Sequence, residues 1–137
     1  MTDYNINLLV IDDDDINIFI IRKIAEKTGY QVTMVAKSNG QLALDYLIDI
    51  KEDPHKFPHL MLIDINMPIL NGWEFLEGYE KLTVPRTSDM YMLSSSVYEN
   101  DIEKANSYQI IKGFISKPLS IEKLSELLSQ VKIETAS

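Results

Sequence analysis

The sequence predicts an α/β domain in which a parallel sheet lies between two layers of helices. Five short apolar segments of strand length alternate with longer segments of helical character along the chain. Runs such as LLVI and LMLI are apolar at every position, which is typical of strands buried on both faces of a sheet. The length of 137 residues fits one domain. We expect that domain to span 1–137, with its core at about 5–132.

Composition excludes several classes of site and partner. The chain has no cysteine, which excludes disulfides, thiolate zinc sites and thiol nucleophiles. Its 13 basic and 21 acidic residues give a net charge of −8, which disfavours binding to nucleic acid. The N-terminus lacks the pattern of a signal peptide, and no apolar stretch approaches the roughly 20 residues that a bilayer requires. We therefore expect a cytoplasmic protein without membrane insertion.

The first part of the chain contains two predicted strands, each followed by a helix. Residues 6–11 (INLLVI) form a strand that stops at four aspartates. Residues 16–27 are rich in apolar side chains and precede Gly29, which predicts a well-buried helix closed by a C-terminal glycine. Residues 31–35 (QVTMV) form the second strand. Ser38 is the expected N-cap of the helix that follows.

The middle of the chain contains a polar segment and the third strand. We interpret 51–58 (KEDPHKFP) as a surface insertion. The strand 59–64 (HLMLID) ends on an aspartate, as the first strand does. The two histidines, His55 and His59, are expected at the surface. The proline and glycine of 66–72 (NMPILNG) then indicate a turn.

The last part of the chain continues the alternation. The predicted elements are a helix at 73–82, a strand at 90–93, a helix at 100–108, a strand at 113–116 and a helix after Ser120. The helix at 100–108 is weakly patterned, because only Ile102 and Ala105 are clear inward residues. The final helix carries its apolar residues along one face, which is typical of a helix packed on a sheet.

Polar groups follow the predicted strands at the edge where an open α/β sheet has its functional crevice. They are Asp12, Asp13, Asp14 and Asp15 after the first strand, Asp64 after the third, Ser94 after the fourth and Lys117 after the fifth. Each residue alone has a structural interpretation, such as a helix cap, a turn or a surface lysine. Their conjunction at one edge favours a functional site.

This set of residues suits a cation and a phosphoryl group. Two carboxylates about 4 Å apart repel by roughly 4 kcal/mol at an effective dielectric constant near 20. A bound cation offsets that cost, and oxygen ligands favour Mg²⁺ over a transition metal. Mg²⁺ beside a carboxylate, a lysine and a hydroxyl suits phosphoryl transfer to that carboxylate. The cation and the lysine would neutralise the phosphoryl oxygens, and the serine would donate a hydrogen bond to one of them.

The sequence resembles the receiver domain of response regulators in two-component signalling. The segments that carry the resemblance are LLVIDDDD at 8–15, LMLIDINMPILNGWEFL at 60–76, MLSSS at 92–96 and GFISKPL at 113–119. The acceptor-loop pattern D-x-N-M-P-x-x-N-G-W-E is highly specific. The resemblance implies a five-stranded parallel sheet of order 2-1-3-4-5 with helices on both faces, as in flavodoxin-like folds and the chemotaxis regulator.

The resemblance also implies the roles of the acidic residues and the lysine. Asp64 is expected to be the phosphoacceptor. Asp12 and Asp13 are expected to hold Mg²⁺ together with Asp64 and the backbone carbonyl of Asn66. Lys117 is expected to pair with the phosphate.

Further roles follow for the remaining motif residues. Ser94 is expected to be the switch hydroxyl. Phe114 stands where the family often has a tyrosine rotamer switch, and it lacks that hydroxyl. The peptide bond before Pro118 is expected to be cis. Asp14 and Asp15 are interpreted as helix-start residues, which the helix dipole favours.

The leading functional hypothesis is a phosphoacceptor receiver. It would take a phosphoryl group from a histidine kinase or a histidine phosphotransfer protein and signal through a changed protein-binding face. Such a domain assists its own phosphorylation and dephosphorylation but is not a conventional enzyme. The sequence contains no recognisable DNA-binding or enzymatic output module, so the expected effector is another protein.

Two alternatives remain open. A phosphorylation-independent binding module with the same fold would be indicated by loss of Asp64, Lys117 or the acidic pair, and none of these is lost. A hydrolase with Asp64 as its nucleophile would need a second acid or base and a substrate pocket. The residues that follow Asp64 offer no such acid.

Overall fold

Five strands alternate with five helices in the computed structural model, which describes residues 4–67, 69–95 and 99–132. The strands are β1 (Asn5–Ile11), β2 (Gln31–Lys37), β3 (Leu60–Asp64), β4 (Asp89–Ser94) and β5 (Ile111–Ser116). The helices are α1 (Asp15–Lys27), α2 (Gly40–Ile50), α3 (Gly72–Tyr79), α4 (Glu99–Ser107) and α5 (Ile121–Gln130). The strands form one sheet of order β2-β1-β3-β4-β5 in which all neighbours are parallel, which confirms the predicted fold class.

The sheet separates two hydrophobic clusters because successive side chains of a strand point to opposite faces. On one face, Leu9 and Ile11 of β1 pack with side chains of α2 and α3. On the other face, Leu8 and Val10 pack with side chains of α1 and α5. Every residue of β3 is buried, as expected for a strand covered on both faces. Continuous apolar runs are therefore the correct signal for these central strands.

The prediction that α1 is a well-buried helix is wrong. Its buried residues are Asn17, Ile21 and Ala25, which recur every fourth position along a single narrow stripe. Three apolar side chains of this helix are exposed: Ile16 is 72% exposed, Phe19 56% and Ile20 40%. The helix covers only one face of the sheet, so it can bury only the side chains that point towards that face. Gly29 follows the helix with a φ of 84° and closes it as predicted.

The observed helix caps agree in part with those predicted from the sequence. Ser120 caps α5 as predicted, accepting a hydrogen bond from the backbone of Lys123. The cap of α2 is Asn39 and not Ser38, because the extended backbone at Asn39 lets its side chain accept from the N–H of Leu42 at 2.9 Å. Helix α3 begins at Gly72 and ends at Tyr79, earlier than predicted.

The segment 51–58 is not simply a surface insertion. Phe57 is fully buried and joins the hydrophobic cluster that lies under α2 and α3. The expectation that His59 lies at the surface is also wrong, since its side chain is 7% exposed. The Nδ1 atom of His59 accepts a hydrogen bond from the backbone N–H of Asn7 at 2.9 Å. The segment therefore anchors the start of β3 against β1.

Helix α4 is weakly anchored, as its pattern predicts. Ala105 is the buried residue of this helix, and Ile102 is half-buried. An aromatic contact links the end of α4 to α3: the rings of Trp73 and Tyr108 stack with centroids 5.8 Å apart and an interplanar angle of 14°. The ammonium of Lys104 lies 5.0 Å from the centre of the Trp73 ring.

Candidate functional site

The carboxyl ends of four parallel strands bring the predicted polar residues together. Asp12 follows β1, Asp64 ends β3, Ser94 ends β4 and Lys117 follows β5. Neighbouring strand ends are tied to each other by backbone hydrogen bonds, such as the N–H of Lys117 to the carbonyl of Ser94 at 2.9 Å. The sheet itself therefore fixes the positions of these side chains.

Three carboxylates form a cluster that could hold a metal ion. One oxygen from each of Asp12, Asp13 and Asp64 lies within 4.8 Å of the others. Asp12 and Asp64 are buried, whereas Asp13 is exposed. The donors are hard oxygens, which is the chemistry that Mg²⁺ prefers in proteins. The residues present thus fit the cation that the sequence predicts.

Lys117 lies between the two buried carboxylates. Its Nζ atom is 2.9 Å from Oδ2 of Asp12 and 3.5 Å from Oδ1 of Asp64. Burial lowers the pKa of Lys117, but the hydrogen bonds and charges of the two aspartates outweigh it and raise that pKa above 10.5. The lysine is therefore a fixed positive charge at the centre of the site.

The surroundings of Asp64 shift its acidity in opposing directions. Burial raises its pKa to about 6, and the charges of Asp12 and Asp13 act in the same direction. The charge of Lys117 and a hydrogen bond from the backbone N–H of Asn66 lower the pKa. At neutral pH the carboxylate is still mainly ionised. It is therefore available as a nucleophile in a partly dehydrated site.

Asn17 also belongs to this site, although it is not part of any of the motif segments. Its side-chain amide donates to Oδ2 of Asp12 at 2.7 Å. It is 7% exposed and lies on the buried stripe of α1. The sequence feature that could have identified Asn17 is a polar residue in line with Ile21 and Ala25, the apolar residues of the buried stripe of α1.

Asp14 and Asp15 lie at the start of α1, as expected. Asp14 is the N-cap, and its side chain accepts from the backbone N–H groups of Ile16 and Asn17. Asp15 occupies the first turn, where a negative charge is stabilised by the helix dipole. Neither residue belongs to the cluster of three carboxylates.

The loop after Asp64 returns the chain tightly to α3. The N–H of Gly72 donates to the carbonyl of Ile65 at 3.0 Å. A Cβ at Gly72 would lie 2.7 Å from the carbonyl oxygen of Asp64, so a larger residue would displace the acceptor strand. Asn71 and Glu74 form a capping box at the start of α3. The N-G-W-E part of the motif thus fixes the loop next to the acceptor.

Two further positions of this region are notable. Ile69, in the same loop, has a φ of 72° and is 78% exposed. This left-handed conformation is strained for a β-branched residue. The Lys117–Pro118 peptide bond is cis, the form that the resemblance implies.

The residues with predicted switch roles occupy neighbouring strands. Ser94 is fully buried at the end of β4. Phe114 of β5 is partly buried against the cluster under α2 and α3, and it is the register partner of Met92. Residues 96–98, including the last serine of the MLSSS motif, lie outside the described part of the chain.

Known proteins are similar to this chain in fold or in sequence. A crystal structure of a two component response regulator from Cytophaga hutchinsonii is similar, with 30% identity, a TM-score of 0.84 and coverage of 94% of this chain and 97% of that one. The probable methanogenesis regulatory protein FilR2 of Methanothrix harundinacea is 25% identical over 91% of this chain and 80% of its own length. The sensor histidine kinase CheAY of Helicobacter pylori is 28% identical over 93% of this chain, which spans 15% of that protein.

The match to a family covers nearly the same residues as the fold. Residues 8–129 match the response regulator receiver domain, a stretch that begins in β1 and ends in α5. In the described part of the chain, no helix is long and apolar enough to cross a membrane. Fold, acidic cluster and sequence match agree, and the chain belongs to the response regulator receiver domain family.

Proposed function

We propose that this domain accepts a phosphoryl group on Asp64 in a phosphorelay and signals through a changed protein-binding face. The observation that carries the proposal is the position of Lys117 between the buried carboxylates of Asp12 and Asp64. A structural ion pair needs one carboxylate. A second buried carboxylate at the same lysine, with an exposed third one beside it, is costly unless the site serves a ligand.

In the proposed reaction, a carboxylate oxygen of Asp64 attacks the phosphorus of a phosphohistidine. A P–O bond forms and the P–N bond breaks, leaving its electron pair on the imidazole, which takes up a proton from solvent water. Lys117 turns towards the new phosphoryl oxygens, and the Ser94 hydroxyl donates a hydrogen bond to one of them. Both groups stabilise negative charge that increases around the phosphorus.

The cation expected at this site is Mg²⁺. Asp12, Asp13 and Asp64 would hold it with their carboxylates, together with the backbone carbonyl of Asn66. When bound, Mg²⁺ offsets the repulsion among the carboxylates and neutralises phosphoryl oxygens. The domain would thereby assist its own phosphorylation and dephosphorylation without being a conventional enzyme.

The proposed donor is a histidine kinase or a histidine phosphotransfer protein, and α1 is the proposed contact surface. Ile16, Phe19 and Ile20 are exposed on α1, which starts directly beside the acidic cluster. A donor must bring its phosphohistidine to Asp64 and therefore covers this helix. The likeness to a receiver-like part of the kinase CheAY supports such a partner. The effector is proposed to be another protein.

Labelling of the purified domain tests the acceptor. With acetyl phosphate and Mg²⁺ we expect one phosphoryl group per chain, detected by intact-mass measurement, and none in Asp64→Asn. Lys117→Ala should reduce the phosphorylation or its conformational consequence and keep the fold. Label retained in Asp64→Asn would refute the assignment. A wild-type domain that is never labelled would support the alternative, a phosphorylation-independent binding module.

Transfer from a panel of purified kinases tests the partner surface. We expect Phe19→Ser to slow transfer from the cognate kinase at least tenfold, because the apolar contact is lost. Labelling by acetyl phosphate should be unchanged, because this small donor needs no docking surface. Leu42→Ser, at an apolar residue of α2 that is 46% exposed, is the matched control. Equal kinase transfer to Phe19→Ser and wild type would exclude α1 as the contact.

A further inference from the structure

The carboxylate of Asp12 is held by three hydrogen bonds. Its Oδ2 atom accepts from the Asn17 amide at 2.7 Å and from the Lys117 ammonium at 2.9 Å. Its Oδ1 atom accepts from the backbone N–H of Asp14 at 2.9 Å. A carboxylate oxygen has two lone pairs. Among the described contacts, Oδ2 is therefore saturated, and Oδ1 keeps one lone pair for a cation.

The two donors to Oδ2, Asn17 and Lys117, differ in their other contacts and in their freedom to move. Lys117 also lies 3.5 Å from Asp64, so a phosphoryl group on Asp64 draws it away from Asp12. Asn17 is 7% exposed on the helix stripe that packs on the sheet, so it stays in place. Asp12 is fully buried and cannot replace a lost donor with bulk water. Loss of a partner from a buried charge is costly.

We infer that Asn17 is a positioning residue for the magnesium site, an inference that rests on the proposed function. Asn17 holds Oδ2 of Asp12 so that Oδ1 is the atom presented to the cation. It also keeps Oδ2 hydrogen-bonded when Lys117 moves to the phosphoryl group. Asn17 touches neither the cation nor the phosphoryl group and acts through Asp12.

Calorimetric titration with Mg²⁺ tests this role. Asn17→Leu keeps the shape of the side chain and removes the amide. We expect its affinity for Mg²⁺ to fall about 10- to 100-fold, the range found when a partner that orients a metal ligand is removed. Binding of beryllofluoride at saturating Mg²⁺, followed by fluorescence, should also weaken at least tenfold, because Lys117 then leaves Oδ2 without a donor.

The controls separate positioning from stability. Ile21→Val removes a buried methyl group from the same helix stripe and should lower the urea midpoint while the Mg²⁺ affinity stays within twofold. Asn17→Gln, which keeps the amide, should recover part of the affinity. If Asn17→Leu does not fold, Asn17→Ala, which favours the helix, replaces it with the same expected loss.

The outcomes are distinct for the two proposals. Mg²⁺ and beryllofluoride affinities of the Asn17 variant within twofold of wild type would overturn the inference and leave the proposed function intact. A wild-type domain that binds no Mg²⁺ would overturn the proposed function, and the inference with it.

Discussion

At the scale of single residues, His59 is a buried titratable group that lies outside the acidic cluster. Burial lowers its pKa to about 4, the charge of Arg86 lowers it as well, and the charge of Asp89 opposes both. The neutral ring is also required as an acceptor for the backbone N–H of Asn7 at 2.9 Å. Protonation of His59 therefore removes one of the hydrogen bonds that join the start of β3 to β1.

We expect His59 to make the folded state sensitive to acid. Its pKa is lower in the folded than in the unfolded chain, so the stabilisation is complete above pH 6.5 and is lost as pH falls towards 4. The loss is on the order of 3 kcal/mol. In His59→Asn, whose Oδ1 can accept the same hydrogen bond, urea unfolding should lack this part of the pH dependence.

The exposed His55 provides the matched control for that measurement. His55→Asn should keep the part of the pH dependence that comes from His59, because it leaves the hydrogen bond between His59 and Asn7 in place. Asp64 titrates in the same range with the opposite sign, since its pKa is raised to about 6. Differences between variant and wild type remove that contribution. Identical pH profiles for His59→Asn and wild type would contradict the prediction.

The residues of the site could be predicted from the sequence more fully than their partners. The aspartates, the serine and the lysine follow apolar strands, and the carboxyl ends of parallel strands share one edge of the sheet. His59 and Asn17 could not be placed in the same way. The bond between Asn7 and His59 joins residues 52 positions apart, and such a contact exists only once β1 and β3 are paired.

At the scale of elements, α1 shows why the apolar pattern predicts a helix but does not predict which of its side chains are buried. Many of its residues are apolar, but α1 packs on the sheet along one stripe only. Which stripe is covered depends on the direction of the helix across the sheet, and no local pattern contains that direction. The burial of Phe57 could not be predicted either, because its neighbours in 51–58 are mostly polar and its contact with the core forms only in the folded chain.

Helix α4 is the element that we expect to respond to phosphorylation. Ser94 should swing towards the phosphoryl group, and Phe114 should fill the space that it leaves. Few buried contacts hold α4, with Ala105 as its buried residue, and such segments open at low cost. With beryllofluoride and Mg²⁺, hydrogen exchange should therefore change across 99–118 as well as around Asp64.

A matched variant defines the signal in that experiment. Asp64→Asn lacks the carboxylate that binds beryllofluoride and should show no change at 99–118 under the same conditions. Protection that changes around Asp64 alone in the wild type would rule out this switch. Phe114 would then be a fixed core aromatic.

At the scale of the whole molecule, the charge distribution links folding to metal binding. The chain carries a net charge of −8, and three of its carboxylates share one small site. We expect Mg²⁺ to stabilise the fold by about 2.7 kcal/mol at 100 times its Kd, which raises Tm by roughly 10 °C. Thermal melts with and without Mg²⁺ measure this shift.

Two comparisons make the melting experiment specific. Asp13→Asn keeps the buried pair and removes one ligand of the cluster, so most of the shift should disappear. Asp53→Asn, in the segment far from the cluster in sequence, should keep the full shift. A Tm that is unchanged by Mg²⁺ but shifted by Zn²⁺ would contradict a site built from hard oxygen ligands.

The stacking of Trp73 on Tyr108 gives the protein an optical reporter of its own state. Trp73 is the one tryptophan in the sequence, so all indole emission comes from this position. Trp73 belongs to α3, which follows the acceptor loop. Its ring contacts Tyr108 at the end of α4, and the Lys104 ammonium lies 5.0 Å from the ring centre. A displacement of α4 alters the surroundings of that single fluorophore. The emission of the unlabelled chain should therefore follow activation in real time.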